Sequence, residues 1–168
     1  MAAPLSLHPD RFLPTDASSR AIARRLYALA VPLPIVSPHG HTDPAWFAGN
    51  ACFSDAANLI LTPDHYLFRM LYSQGISLAD VGIGALSGMH DGMGDGSDDV
   101  ATPREGWRCF ATNYHLFRGT PSRIWLDHVF AEVFGMTVRL DAQTADAYFD
   151  AIGAVGPLAM DTQLVSQT

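Results

Sequence analysis

Apolar residues recur with a helical period over most of this chain, and with an extended, proline-broken pattern at one place only. Ile22, Leu26, Leu29 and Ala30 form one face of a helix running to about residue 30, with Arg20, Arg24 and Arg25 on the wet side and Ser18 and Ser19 available as caps. Pro32 and Pro34 end it and force extension, so the apolar run 33–36 is the best strand candidate. Asp43-Pro44 has the cap-and-first-turn signature of a short helix carrying Trp46 and Phe47, and Ser54-Asp55 starts another ending near Leu61. Thr62-Pro63-Asp64 repeats that chemistry for a helix over 63–74, which Gly75 closes.

Periodicity vanishes over 82–102, where Gly82, Gly84, Gly88, Gly92, Gly94 and Gly96 alternate with Asp91, Asp95, Asp98 and Asp99. This reads as an acidic loop rather than a calcium site, because the late bidentate Glu of a calcium loop is missing. Thr102-Pro103 then opens a helix holding Trp107, Phe110 and Ala111. A second helix over 121–134 should bury Ile124, Trp125, His128, Val129 and Phe130 and stop at Gly135. A third over 141–152 should turn Ala145, Tyr148, Phe149 and Ile152 inward. The pattern is lost after Gly153. No repeat of 20 to 50 residues recurs.

With 168 residues, 48% hydrophobic and 16% charged, the chain can bury a sizeable core. Acidic residues outnumber basic ones 17 to 10, and the basic ones form no block, so nucleic acid is not an expected partner. Cys52 and Cys109 lack metal or redox spacing, which fits a reducing cytoplasm. The start has no basic n-region, and the apolar stretch 26–36 is too short and proline-broken to span a bilayer, so no membrane partner is expected. The other histidines read as incidental: His8, His90 and His115 as solvated or locally bonded, His128 as a core histidine.

Two short blocks carry candidate chemistry. His39-Gly40-His41 leaves the carboxyl end of the 33–36 run, and alternate residues of a strand point the same way, so two imidazoles would converge above a sheet. Imidazole nitrogen suits zinc and its first-row neighbours. Asp64, His65 and Tyr66 fall in the first turn of the 63–74 helix, where free N–H groups and the helix dipole favour an anion such as a carboxylate. The plainer alternative is that Asp64 only caps, His65 is a solvated first-turn residue and Tyr66 packs with Met70.

Read in order, Arg24-Arg25-Leu26-Tyr27, Leu33-Pro34-Ile35-Val36-Ser37-Pro38-His39-Gly40-His41, Asp64-His65-Tyr66-Leu67-Phe68-Arg69-Met70 and the stretch from Trp125 to Gly135 resemble the amino-terminal third of bacterial uronate isomerases. The resemblance is collinear over residues 10–152, and its most specific piece is D-H-Y-x-x-R at the right distance after H-x-H. Ser37-Pro38 departs from the Asp-Tyr that usually precedes the first histidine.

That resemblance implies the amidohydrolase superfamily and an α/β fold class, here the N-terminal fragment of a (β/α)8 TIM-type barrel with one barrel strand and a mostly helical inserted region, mainly α as it stands. It implies segments 1–81 (first helix, barrel strand and following helices), 82–102 (loop), 103–152 (helical region) and 153–168 (a non-matching tail). It implies interconversion of glucuronate with fructuronate and of galacturonate with tagaturonate, a hexuronate sugar acid as the small-molecule partner, and a full-length form that could be homo-oligomeric. His39 and His41 would be the first two ligands of one divalent metal, zinc being the expected ion. Tyr66 would lie against the sugar hydroxyls near the reacting carbons, His65 would orient the substrate, and Asp64 and Arg69 complete the substrate-binding motif. A phenol keeps its proton at neutral pH unless a cation sits beside it, so polarising or hydrogen-bonding the substrate is the expected role of Tyr66.

A barrel of this kind takes about 250 residues, so the expectation is a truncated or frame-disrupted isomerase, inactive as it stands, with an incomplete metal site. Two other readings follow from the same residues. A metal-dependent hydrolase of the same superfamily would share H-x-H without needing Asp64-His65-Tyr66, and a helical binding module would bury Trp107, Trp125 and Phe130 against a partner.

Overall fold

Three Thr/Asp-x turns set the helical frame. Thr102 accepts a hydrogen bond from Glu105 N–H while the Glu105 carboxylate accepts from Thr102 N–H at 2.9 Å, a capping box with Pro103 in the first turn. Thr120 accepts from Arg123 N–H with Pro121 in the same role, and Asp64 accepts from Tyr66 N–H. The structure is a computed structural model and describes residues 3–34, 36, 48–49, 52–84 and 100–155.

The chain divides into two units, Met1–Leu5 with Cys52–Val155, and Ser6–Ala51 with Gly156–Thr168. In the second lies α1, Ala17–Ala30, where the sequence places it, capped by Asp16 rather than by either serine; Ser19 N–H and the Ser18 hydroxyl both donate to Asp16. The first unit holds α2 (His65–Ser73), α3 (Pro103–Thr112), α4 (Pro121–Glu132) and α5 (Ala145–Gly153). A π-helical turn, Ala57–Leu61, precedes α2, and 3-10 turns occur at Ala79–Val81 and Tyr114–Phe117.

The core of this unit is aromatic. Trp107 is fully buried and donates its indole N–H to the Ala145 carbonyl at 3.0 Å, tying α3 to α5. Phe130 of α4 meets Trp107 and Tyr148 edge to face, and Phe110 does the same with Tyr114 and Phe117. The polar tips are satisfied: Tyr148 donates to Val138 O at 2.6 Å and Tyr114 to Asp127 at 3.0 Å. Burial first, and then the Asp127 charge, push the Tyr114 phenol far up, so it stays a donor. Arg123 lies 3.8 Å over the Tyr114 ring and bonds Asp127. At Gly106, α3 runs so close to the Ala79–Val81 turn that a Cβ would stand 2.6 Å from Val81 O.

The chain is mainly α, as expected: among the described residues there is no strand, and pairing is limited to an isolated antiparallel bridge between Pro4 and Val138. Three expectations are corrected. Leu33, Pro34 and Val36 are not in a strand and Val36 is 86% exposed, while Ile35 lies outside the described residues. A barrel strand needs neighbours on both edges, and Pro32 and Pro34 donate no N–H to any of them.

The expected helix over 63–74 begins two residues later. Thr62 N–H donates to Ala57 O, closing the π turn and keeping Thr62 at helical angles, φ −63° and ψ −41°, which a capping residue cannot have. Gly75 closes α2 at φ +85° as expected. Finally, α4 turns Leu126 and Phe130 to the core and leaves Trp125 53% exposed. The short helix expected at Asp43-Pro44 and the Asp/Gly run of the 82–102 loop lie outside the described residues, apart from Ala48 and Gly49, which are helical.

Candidate active-site face

The α2 helix has two faces of different chemistry. Leu67, Phe68 and Leu71 are buried and pack α2 against the π turn and the Tyr114–Phe117 turn, with Met70 half-buried beside them. The remaining positions, His65, Tyr66 and Arg69, are exposed, and Tyr72 continues that side at 46% exposure. This split follows from the helical period, which puts residues three and four apart on one face.

The first turn is held by its cap. Asp64 Oδ1 accepts from Tyr66 N–H at 2.8 Å, leaving its second oxygen uncommitted to that bond. The rings of His65 and Tyr66 lie with centroids 4.2 Å apart and planes tilted by 33°. Tyr66 is 70% exposed, so its phenol is presented outward rather than packed with Met70. Among the described residues, no hydrogen-bond partner occupies the Tyr66 hydroxyl or the Arg69 guanidinium. A phenol donor and a guanidinium thus share one short stretch of helix, an arrangement suited to a ligand carrying hydroxyls and a carboxylate.

Of the six residues singled out in the sequence, Asp64, His65, Tyr66 and Arg69 stand together on this turn. His39 and His41 lie outside the described residues. Among the described residues no group of three or more His, Cys, Asp or Glu side chains could hold a metal ion. Tyr72 was not singled out by motif, although its place three residues after Arg69 puts it on the same side.

The histidines read as incidental behave locally. His8 accepts from Asp10 N–H, and His115 Nδ1 lies 3.2 Å from Thr112 O. His128 is half-buried. No helix among the described residues is long and apolar enough to cross a membrane.

Comparison with known proteins defines the family. The glucuronate isomerase family matches residues 10–160, and the chain belongs to that family. It is 59% identical over 153 residues to the uronate isomerase of Phenylobacterium zucineum and 60% identical over 152 residues to that of Sphingopyxis alaskensis, covering 91% and 90% of this chain. The chain spans about 30% of the length of these curated relatives. The crystal structure of glucuronate isomerase from Caulobacter crescentus superposes with a TM-score of 0.78 at 56% identity, over 90% of this chain and 30% of that one. The uronate isomerase structure from Thermotoga maritima shares the fold, with a TM-score of 0.69 at 20% identity over 95% of this chain and 32% of that one.

Proposed function

We infer that this chain carries the amino-terminal part of the active site of a uronate isomerase, the enzyme interconverting aldose and ketose forms of hexuronates such as glucuronate and fructuronate. The observation that carries it is the face of exposed His65, Tyr66 and Arg69 beside half-buried Asp64, on a helix whose opposite side is locked into the core, in a chain belonging to this family.

Aldose-to-ketose conversion removes a proton from the carbon beside the carbonyl and returns one to the carbonyl carbon through an enediol. Negative charge develops on oxygen, so a donor aimed at that oxygen lowers the barrier. The Tyr66 hydroxyl supplies such a donor and contacts the sugar hydroxyls near the reacting carbons. His65 fixes the substrate orientation, and Arg69 holds the carboxylate, the guanidinium fork matching its two oxygens. Asp64 keeps the first turn wound and offers its free oxygen to a sugar hydroxyl.

His39 and His41 would hold one divalent metal through their imidazoles, zinc suiting that donor pair, and the chemistry it would supply when bound is polarisation of a substrate oxygen. A (β/α)8 barrel takes about 250 residues, and this chain spans about 30% of the length of its curated relatives.

The test is a chimera in which residues 10–155 of this chain replace the equivalent segment of Caulobacter crescentus glucuronate isomerase. Turnover of glucuronate is expected, together with loss of bound metal and of activity in the His39→Asn/His41→Asn variant. An active chimera whose metal content and rate ignore both histidines would remove them from the site.

A further inference from the structure

A second concave site lies in the Cys52–Val155 unit, away from the α2 motif in sequence and built from a different chemistry. Ala3, His115, Arg118, Arg123, Arg139 and Asp141 contribute to the walls of a cavity of about 210 Å³. Every basic residue of the chain is an arginine, and three of the ten line this one hollow in a protein of net charge −7.

The carboxylates nearby are already engaged. Asp127 is bonded to Arg123 and accepts from Tyr114, and Asp141 Oδ1 accepts from Gln143 and Thr144 N–H groups at 2.8 and 3.1 Å. The arginines are anchored from the back by other atoms. Arg123 gives Nε to Asp127 and Nη1 to Tyr114 O, and Arg139 gives Nε to Pro4 O at 3.1 Å, which leaves Arg123 Nη2 and both Nη atoms of Arg139. Among the described residues no side-chain partner occupies the Arg118 guanidinium, and His115 uses only Nδ1, toward Thr112 O.

Of the three guanidiniums gathered in this hollow only Arg123 is ion-paired with a carboxylate, so the charges of Arg118 and Arg139 repel one another unless an anion joins them. Their free donors form the array that recognises planar or tetrahedral oxyanions. We propose that this hollow binds a small oxyanion, a carboxylate or phosphate group carried on a small molecule, with Arg118 as its primary clamp and Arg123 and Arg139 as fixed walls. The site is independent of the isomerase reading, since none of its residues belongs to the α2 motif or the H-x-H.

Calorimetric titration of the purified 168-residue chain at low ionic strength, with inorganic phosphate and separately with glucuronate, tests it. Saturable phosphate binding is expected, weakened at least about tenfold by Arg118→Ala, a loss of the size of one charge-assisted hydrogen bond, and unchanged by Arg25→Ala on α1. Arg118→Lys, which keeps the charge and loses the fork, should fall between. Glucuronate binding with the same dependence on Arg118 extends the site to carboxylates, and its absence confines it to phosphates. Glucuronate binding that ignores Arg118→Ala reports the α2 face and leaves the phosphate result to decide. The proposal is overturned if phosphate fails to saturate in the millimolar range, or binds Arg118→Ala as well as the parent chain.

Discussion

The α1 helix and the helices around Trp107 are held by opposite means. No residue of α1 is buried; its order rests on the Asp16 cap and on Asp10, which accepts from Arg24 Nε at 2.9 Å. In α3, by contrast, Gly106, Trp107, Phe110 and Ala111 are all buried, and ion pairs from Arg104 and Arg108 to Asp146 and Asp150 of α5 only edge a packed aromatic layer. Burial is worth kcal/mol per side chain, whereas exposed caps and ion pairs contribute tenths to about 1 kcal/mol and depend on pH and salt. The candidate site belongs with the packed helices: α2 is pinned by Leu67, Phe68 and Leu71, which frees its other side for ligand.

The sharpest way to break that contrast is Trp107→Ala. It removes a fully buried indole and the bond that ties α3 to α5, and should cost about 3–5 kcal/mol in urea unfolding. Leu126→Ala should cost about 2–5 kcal/mol and Trp125→Ala no more than about 0.5 kcal/mol, although the two residues are neighbours. Equal costs would mean that α4 is rotated from the orientation described. Gly106→Ala puts a methyl against Val81 O and should cost about 1–3 kcal/mol, with the Ala79–Val81 turn displaced in amide chemical shifts.

The smallest effect concerns α1. Ser19 N–H first, and then the Ser18 hydroxyl, lower the Asp16 carboxyl from its ordinary 3.8 to about 2. A depressed folded-state value means that the cap contributes fully above the ordinary value and is lost as pH falls toward 2. The protection of amides 17–30 from hydrogen exchange, taken relative to their intrinsic rates at each pH, should therefore fall through that window in the parent chain. In Asp16→Ala it should be low throughout and show no such step.

Local chemistry was readable where it acts alone. Thr102-Pro103 and Thr120-Pro121 start helices because each threonine is free to cap, and Gly75 and Gly135 end them at positive φ. Thr62-Pro63 has the same two letters, but its threonine is spent closing a π turn five residues back, which no pattern in the sequence announced. The α4 register misled for a related reason. Ile124, Trp125, Leu126, Val129 and Phe130 wrap much of the helix in apolar residues, so the buried side was decided by the aromatic partners of Phe130. For the site, the D-H-Y-x-x-R motif could be placed on a helix from sequence; that its phenol and guanidinium both face outward depended on which side of α2 the core selected. The expected strand 33–36 required pairing with other strands, and no amount of local propensity supplies that.

The central claim is that Tyr66 meets the reacting part of a hexuronate. Measuring kcat and KM for glucuronate in the chimera with and without Tyr66→Phe tests it most directly. Loss of a donor aimed at developing charge should lower kcat about 100-fold or more with little change in KM; an unchanged kcat in an active, folded Tyr66→Phe chimera would contradict the account.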